Sequence, residues 1–372
     1  MQKRPWNSYA AALGRPVVAL VIALALGAVI IALAQKNITA PIAAYSSLFR
    51  GAFGDSTAWA NTLVRAMPLL LTGIAVFVAL AAGLFNIGAE GQLSVGGLAA
   101  AVVGVYGKGL LPGPILLLSS LLAGMLTGAA WGFLPAYLKV KRGAHEVITA
   151  ILLNYIAQNT TRYLATGPLR EPGGTAAQTA EVGATLSRLS PNYDVHTGLL
   201  IAVVAVALVA FALRRTVWGY ETRAVGEGPG AAEAAGISVA RVQINAMLLS
   251  GALAGLAGAV VILGEVPFKR FPSDFYGAGY GFDGLAAALL AGGSAWAIFP
   301  AALLFGGLAS GAEQMTFDVG TPKQIVSVVQ AILILAVGVR IVIRSRTKKT
   351  VLSKPDATAI PAAIAAPEPG SV

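Results

Sequence analysis

The chain has 372 residues, 56% of them hydrophobic and 11% charged, with a formal net charge of +10 and a mean hydropathy of +0.75. Soluble domains carry about a quarter charged residues, so this chain lacks the charge to cover a water-facing surface. It has no cysteine and 2 histidines, which excludes thiolate catalysis, disulfides and Cys-ligated metal and argues against a His-rich metal site. Its basic balance reads as the positive-inside bias of a membrane protein, not as a nucleic-acid surface.

Residues 1–15 carry Lys3, Arg4 and Arg15 and form a cytoplasmic N-terminus. An uninterrupted apolar run follows at 16–34. Ala32-Leu33-Ala34-Gln35 is similar to a signal-peptidase site, so a cleaved signal competes with a retained helix. The run exceeds the usual signal core of about 7–15 residues, which favours retention. Residues 36–65, with Tyr45, Arg50 and Trp59, read as an interfacial or external loop with a short amphipathic helix. Spans two and three are expected at 68–85 and 92–106.

Between them lies the stretch Leu84-Phe85-Asn86-Ile87-Gly88-Ala89-Glu90-Gly91-Gln92. An ionisable group between two membrane-length apolar runs is costly in hydrocarbon, so Glu90 should face a protein cavity. Glycines there let the backbone leave the helix, which is tolerable where protein or water satisfies the freed groups. Asn86, Glu90 and Gln92 can bind substrate hydroxyls or a base edge. They can equally cap a broken helix, since an acid near a helix N-terminus is favoured by the dipole.

Span four is expected at 115–138, ending on Lys139, Lys141 and Arg142. Span five, 145–165, is polar in Thr149, Asn154, Gln158 and Asn159. Asn154 and Gln158 share a face at i, i+4 and either line a passage or bond between helices. Phe85 and Tyr155 either stack on a base or pack the core. Glu146 reads as an N-terminal dipole partner rather than a proton carrier. A Pro/Gly/Ser/Thr-rich external loop occupies 166–197, and span six runs from 198 to Arg214-Arg215.

The polar segment 214–241 contains Gly226-Glu227-Gly228-Pro229-Gly230-Ala231-Ala232-Glu233-Ala234-Ala235-Gly236. Pro near its start and Gly past its end mark a short helix. So short a helix is not stable alone and must dock on something, either a cytoplasmic motor or the membrane interface. Span seven is expected at 242–263, spans eight and nine at 282–293 and 295–315, and span ten at 325–343. The basic run 344–349 leads into a disordered cytoplasmic tail at 346–372.

The fold class is therefore all-α and polytopic, a transmembrane domain over 16–345 with about ten helices, some broken near the midplane, and a short cytoplasmic coupling helix. Lys and Arg cluster on the side that holds both termini. Glycine-broken pairs recur at spans two/three and eight/nine, the second with Phe282-Asp283-Gly284. Interrupted segments at matching places in two halves point to a transport site.

Phe85-Asn86-Ile87-Gly88-Ala89-Glu90-Gly91-Gln92 resembles a signature of the permeases of ABC importers for nucleosides and simple sugars, within the branched-chain amino acid and ribose-type permease superfamily. His145-Glu146-Val147-Ile148-Thr149-Ala150-Ile151-Leu152-Leu153-Asn154-Tyr155-Ile156-Ala157 resembles a second. Arg223-Ala224-Val225-Gly226-Glu227 with Ala234-Ala235-Gly236-Ile237 is similar to the family's cytoplasmic loop, and Tyr280-Gly281-Phe282-Asp283-Gly284-Leu285-Ala286 is a fourth match. The four fall in order over residues 60–340, and the length is that of the larger of two paired permeases.

The resemblance implies an inner-membrane permease subunit, not an enzyme, that imports nucleosides by alternating access. Its implied partners are a second permease, a cytoplasmic ABC ATPase, an extracytoplasmic binding protein or lipoprotein, and lipid. No cofactor is expected on this chain. ATP-Mg belongs to the ATPase subunits, because the chain has no G-x-x-x-x-G-K-S/T phosphate loop. Candidate pathway residues are Phe85, Asn86, Glu90, Gln92, Asn154, Tyr155, Gln158 and Asp283. Candidate ATPase-coupling residues are Arg223, Glu227, Pro229, Glu233, Ala235 and Gly236. The alternatives are a simple sugar or other small polar substrate, or an ion-coupled secondary transporter using Glu90 and Asp283.

Overall fold

A computed structural model describes residues 6–264, 269–322 and 324–332. Residues 333–343 of span ten, the tail and residues 1–5 lie outside the described residues. The described elements are α1 (Trp6–Ala34), α2 (Ala40–Phe53), α3 (Ser56–Ala81), α4 (Ala89–Tyr106), α5 (Gly113–Arg142), α6 (Glu146–Thr166), β1 (Arg188–Ser190), β2 (Tyr193–His196), α7 (Gly198–Arg215), α8 (Val217–Glu227), α9 (Pro229–Ala234), α10 (Val239–Gly264), α11 (Tyr280–Ala291) and α12 (Ile298–Val319).

Five of these helices are long and apolar enough to cross a membrane: α3, α5, α7, α10 and a stretch from Ala295 through α12. The expectation at 282–293 needs correction. Helix α11 has 12 residues. At 1.5 Å per residue it is about 18 Å long, short of the roughly 30 Å hydrocarbon core. Helix α4, with 18 residues, approaches the length and α6, with 21, reaches it, but both carry the polar residues already named.

Helix α10 is the central post, packed on α5, α4 and α3. It can be central because glycine lets its backbone touch its neighbours. A Cβ on Gly255 would lie 2.1 Å from the Gly124 carbonyl oxygen of α5, and one on Gly258 would lie 2.0 Å from that of Leu93 on α4. Small residues at such contacts are how helices associate where lipid removes the hydrophobic drive. The outward face of α5 shows Leu118, Leu122 and Leu126.

Helix α3 starts twelve residues before the expected span. Asp55 caps it, accepting the Ala58 N–H at 2.8 Å, and the helix passes through Pro68. Helix α2 is the expected amphipathic helix. It is not a loose interfacial piece: it lies against α12 and α3, with the Ser310 hydroxyl donating to the Gly51 carbonyl at 2.9 Å.

The 166–197 loop is ordered over the end of α10. Its strands β1 and β2 form an antiparallel hairpin, and Val182 and Leu186 join the main core. The Val182 N–H donates to Lys269 and that of Leu186 to Leu263, at 2.9 and 2.8 Å. Arg270 pairs with Glu171, which holds the carboxyl of Glu171 below its usual range and raises the guanidinium. Since α7 separates them, this loop and the α8–α9 segment sit at opposite ends of that helix.

Candidate functional site

After Ala81 the chain leaves the helix and does not re-enter one until Ala89. Gly83 allows the exit, with φ +73. The turn is fixed from within. The Asn86 amide donates to Gln92 Oε1 and to Ser250 Oγ, both at 2.8 Å, and Gln92 Nε2 donates back to Asn86 Oδ1 at 3.1 Å. The Ser250 hydroxyl passes the chain on to the Ala75 carbonyl at 2.6 Å. Asn86 and Ser250 are 0% exposed and Gln92 1%. Buried amides need such partners, because each one left unmade costs roughly 1–3 kcal/mol.

Glu90, in the first turn of α4, does not cap its own helix. Its Oε2 accepts the N–H of Gly281 at 2.6 Å and that of Phe282 at 3.3 Å, at the start of α11. Free N–H groups and the dipole make a helix N-terminus attractive to a carboxylate. The approach is close because a Cβ on Gly281 would lie 2.4 Å from the Glu90 nitrogen. The other oxygen, Oε1, is buried with no hydrogen-bond partner. On α3, the Thr72 hydroxyl lies 3.0 Å from the Tyr280 carbonyl, so α3 and α4 together hold the start of α11.

Helix α6 closes the third side. Asn154 accepts the Gly91 N–H and donates to the Ile87 carbonyl, each at 3.0 Å. Ser94 and Thr161 hydroxyls meet at 3.2 Å. The buried face of α6 is Ala150, Asn154, Ala157, Thr161 and Ala165. Gln158 is only half-buried, so it does not repeat the role of Asn154, and Tyr155 is exposed at 60%. Phe85 and Asp283 are half-buried at the margin of the cluster. Glu146 pairs with Lys139 of α5 at 2.9 Å, a tie between two helix ends.

The structure thus brings Asn86, Glu90, Gln92 and Asn154 together and leaves Phe85, Tyr155, Gln158 and Asp283 around them. Sequence reasoning missed Ser250 and Thr72. Thr72 is the lone polar residue of an apolar run, and Ser250 lies deep in the apolar part of α10; that isolation is the signal that could have found them. Among the described residues no group of three or more His, Asp or Glu is placed to hold a metal.

At the far end of the segment, α9 starts with Pro229 and stops on Gly236 (φ +82). The Ile237 N–H donates to Ala232 and that of Gly236 to Glu233, at 3.0 and 2.9 Å. This paired closure is the Schellman arrangement, and only glycine takes its left-handed position without cost. Arg223, Glu227, Pro229, Glu233, Ala235 and Gly236 are all exposed. Beneath them Val225, Ala232 and Val242 form a small apolar cluster that fixes α8 and α9 to the start of α10.

The family described as branched-chain amino acid transport system / permease component matches residues 58–338. The chain belongs to that family. The permease is 37% identical to the guanosine ABC transporter permease protein NupP of Bacillus subtilis (strain 168), over 88% of this chain and 94% of that one. It is 39% identical to the glucose ABC transporter permease protein TsgB13 of Haloferax volcanii, over 89% and 87%. It is 36% identical to the nucleoside ABC transporter permease protein NupB of Lactococcus lactis subsp. cremoris (strain MG1363), over 88% and 91%. The same bacilli and lactococci each supply a second, more distant match, NupQ at 28% and NupC at 29%. Family and apolar helices together make this a multi-pass membrane protein.

Proposed function

We propose that this permease is one of two membrane subunits of an ATP-driven importer, and that its substrate is a nucleoside. The observation that carries the reading is the near full-length similarity to NupP and NupB, whose names specify guanosine and nucleosides. The site favours a neutral, hydroxyl-rich solute. The groups around the 84–88 turn are amides and hydroxyls, and among the described residues no Lys, Arg or His forms an ion pair with Glu90. A simple sugar is the second reading, supported by the likeness to TsgB13.

In this account Asn86, Gln92, Ser250 and Asn154 hold the turn in shape, since their polar atoms are spent on one another or on the nearby backbone. Phe85, Tyr155, Gln158 and Asp283, at its margin, meet the substrate. The second subunit is a paired permease, as the occurrence of two matching permeases in one organism supports. ATP-Mg is held by cytoplasmic ATPase subunits that dock on α9. An extracytoplasmic binding protein or lipoprotein delivers substrate, and both termini face the cytoplasm of the inner membrane. The helices are broken at the midplane.

Uptake of labelled guanosine by cells expressing the whole system, with unlabelled nucleosides or glucose as competitors, tests the substrate. Competition by nucleosides and none by glucose is expected. Absence of guanosine uptake, with uptake of labelled glucose by the same cells, would replace the nucleoside with a sugar.

A further inference from the structure

We propose that the backbone contact between Gly226 of α8 and the last turn of α3 is where movement of the α8–α9 segment reaches the polar turn at 84–88. The inference rests on the ATPase-docking reading above. A Cβ on Gly226 would lie 2.2 Å from the Ala81 carbonyl oxygen and 3.1 Å from the Gly83 nitrogen. No side chain separates the two backbones. Gly83 answers from the other side: a Cβ there would lie 3.3 Å from the Gly226 Cα, and its φ of +73 disfavours any side chain.

The position of this contact gives it leverage. Asn86 follows Gly83 by three residues, and the Leu84 N–H still bonds the Ala79 carbonyl at 2.9 Å. Further back on α3, the Ala75 carbonyl takes the Ser250 hydroxyl that also accepts from Asn86. The end of α3 is therefore held by α8 on one side and by the Asn86–Gln92–Ser250 chain on the other. Side chains at an interface can change rotamer and absorb a small shift. Two touching backbones cannot, and close-packed interiors transmit strain. Helices α8 and α9 share the Val225–Ala232–Val242 cluster, so a push on exposed α9 displaces Gly226 too. Gly226 is a positioning residue in this scheme; it meets no substrate.

The test uses the full complex of both permeases, ATPase subunits and binding protein in liposomes. Gly226→Ala should lower ATP-driven uptake about tenfold or more, the size of a typical coupling between sites, while the ATPase subunits stay bound. Gly113→Ala at the start of α5 is the matched control, since a Cβ there meets nothing within 4 Å and the residue lies outside the α8–α9 segment. It should stay within about twofold, as exposed substitutions usually do. Wild-type uptake in Gly226→Ala overturns the relay. Loss of the ATPase subunits from that variant also overturns it, because Gly226 would then belong to the docking surface, and the docking reading would stand.

A measurement on the unaltered complex removes the risk that the variant fails to fold. Trapping the ATP-bound state should change amide-exchange protection at 82–88 by about fivefold or more, a local opening effect. A change at α9 with none at 82–88 overturns the relay alone. No change at either overturns the docking reading as well.

Discussion

Glu90 of α4 accepts the N–H of Gly281 at 2.6 Å, joining the start of α4 to the start of α11 across 191 positions of sequence. The contact fastens one glycine-broken pair of helices, α3 and α4, to the other, α11 and α12. Glu90→Ala would strand the buried N–H of Gly281 and weaken the hold on the part-buried one of Phe282. The complex should lose about 1–3 kcal/mol of stability, read as a lower unfolding temperature in detergent. Glu90→Gln keeps an acceptor for Gly281 and should be the milder change. Equal stability of Glu90→Ala and the wild type would remove the capping role.

Asn86 and Gln92 exchange two hydrogen bonds, so each satisfies the other. Asn86→Leu and Gln92→Leu should each destabilise, while the double variant should fall well short of their sum. Residues in one hydrogen-bond network show interaction terms of about 0.5–3 kcal/mol. A double-mutant cycle on unfolding midpoints measures this, and simple additivity would mean the pair is not coupled.

Asn154 and Tyr155 are neighbours with opposite exposure, 3% against 60%. Asn154→Ala breaks both ties to the 87–91 backbone and should lower stability by about 1–3 kcal/mol. Tyr155→Ala touches an exposed ring and should leave the unfolding midpoint within about 0.5 kcal/mol while reducing uptake. Thermal unfolding beside uptake separates the two. Loss of stability in Tyr155→Ala with normal uptake would reverse the assignment.

His196 of β2 is 2% exposed, and burial lowers its pKa to about 4. Its Nδ1 accepts the Gly198 N–H at 3.2 Å. The unfolded chain would protonate this ring near pH 6.5 and the folded one only near 4, so the unfolded state binds more protons between them. Stability should thus fall as pH drops from about 6.5 toward 4, then level off. His196→Gln should flatten that slope, which a pH series of unfolding midpoints would reveal. An unchanged slope would assign the acid sensitivity to other groups.

Much of this site was legible because polarity is rare in the chain. Asn86, Glu90 and Gln92 stand out against apolar flanks, and Pro229 and Gly236 announce both ends of α9. Gly292 and Gly293 mark where α11 stops, with φ of +65 and +122. Other features were hidden for physical reasons. Pro68 looks like a helix start, yet a proline inside a helix costs only what packing can return, and Asp55 begins α3 a full three turns earlier. The i, i+4 spacing pairs Asn154 with Gln158, but the α6 face that α4 buries steps from 154 to 157 and 161. The target of Glu90 lies 191 residues away, beyond the reach of any local pattern.

The central claim is that the permease does no work alone and is driven through its inner surface by ATP hydrolysis on its partners. Guanosine uptake into liposomes measures this directly, comparing the complete complex with the purified chain under an imposed ion gradient. The account predicts accumulation by the complex only when ATP is present on the ATPase side, and none by the chain alone. Gradient-driven accumulation by the chain without any ATPase would contradict it.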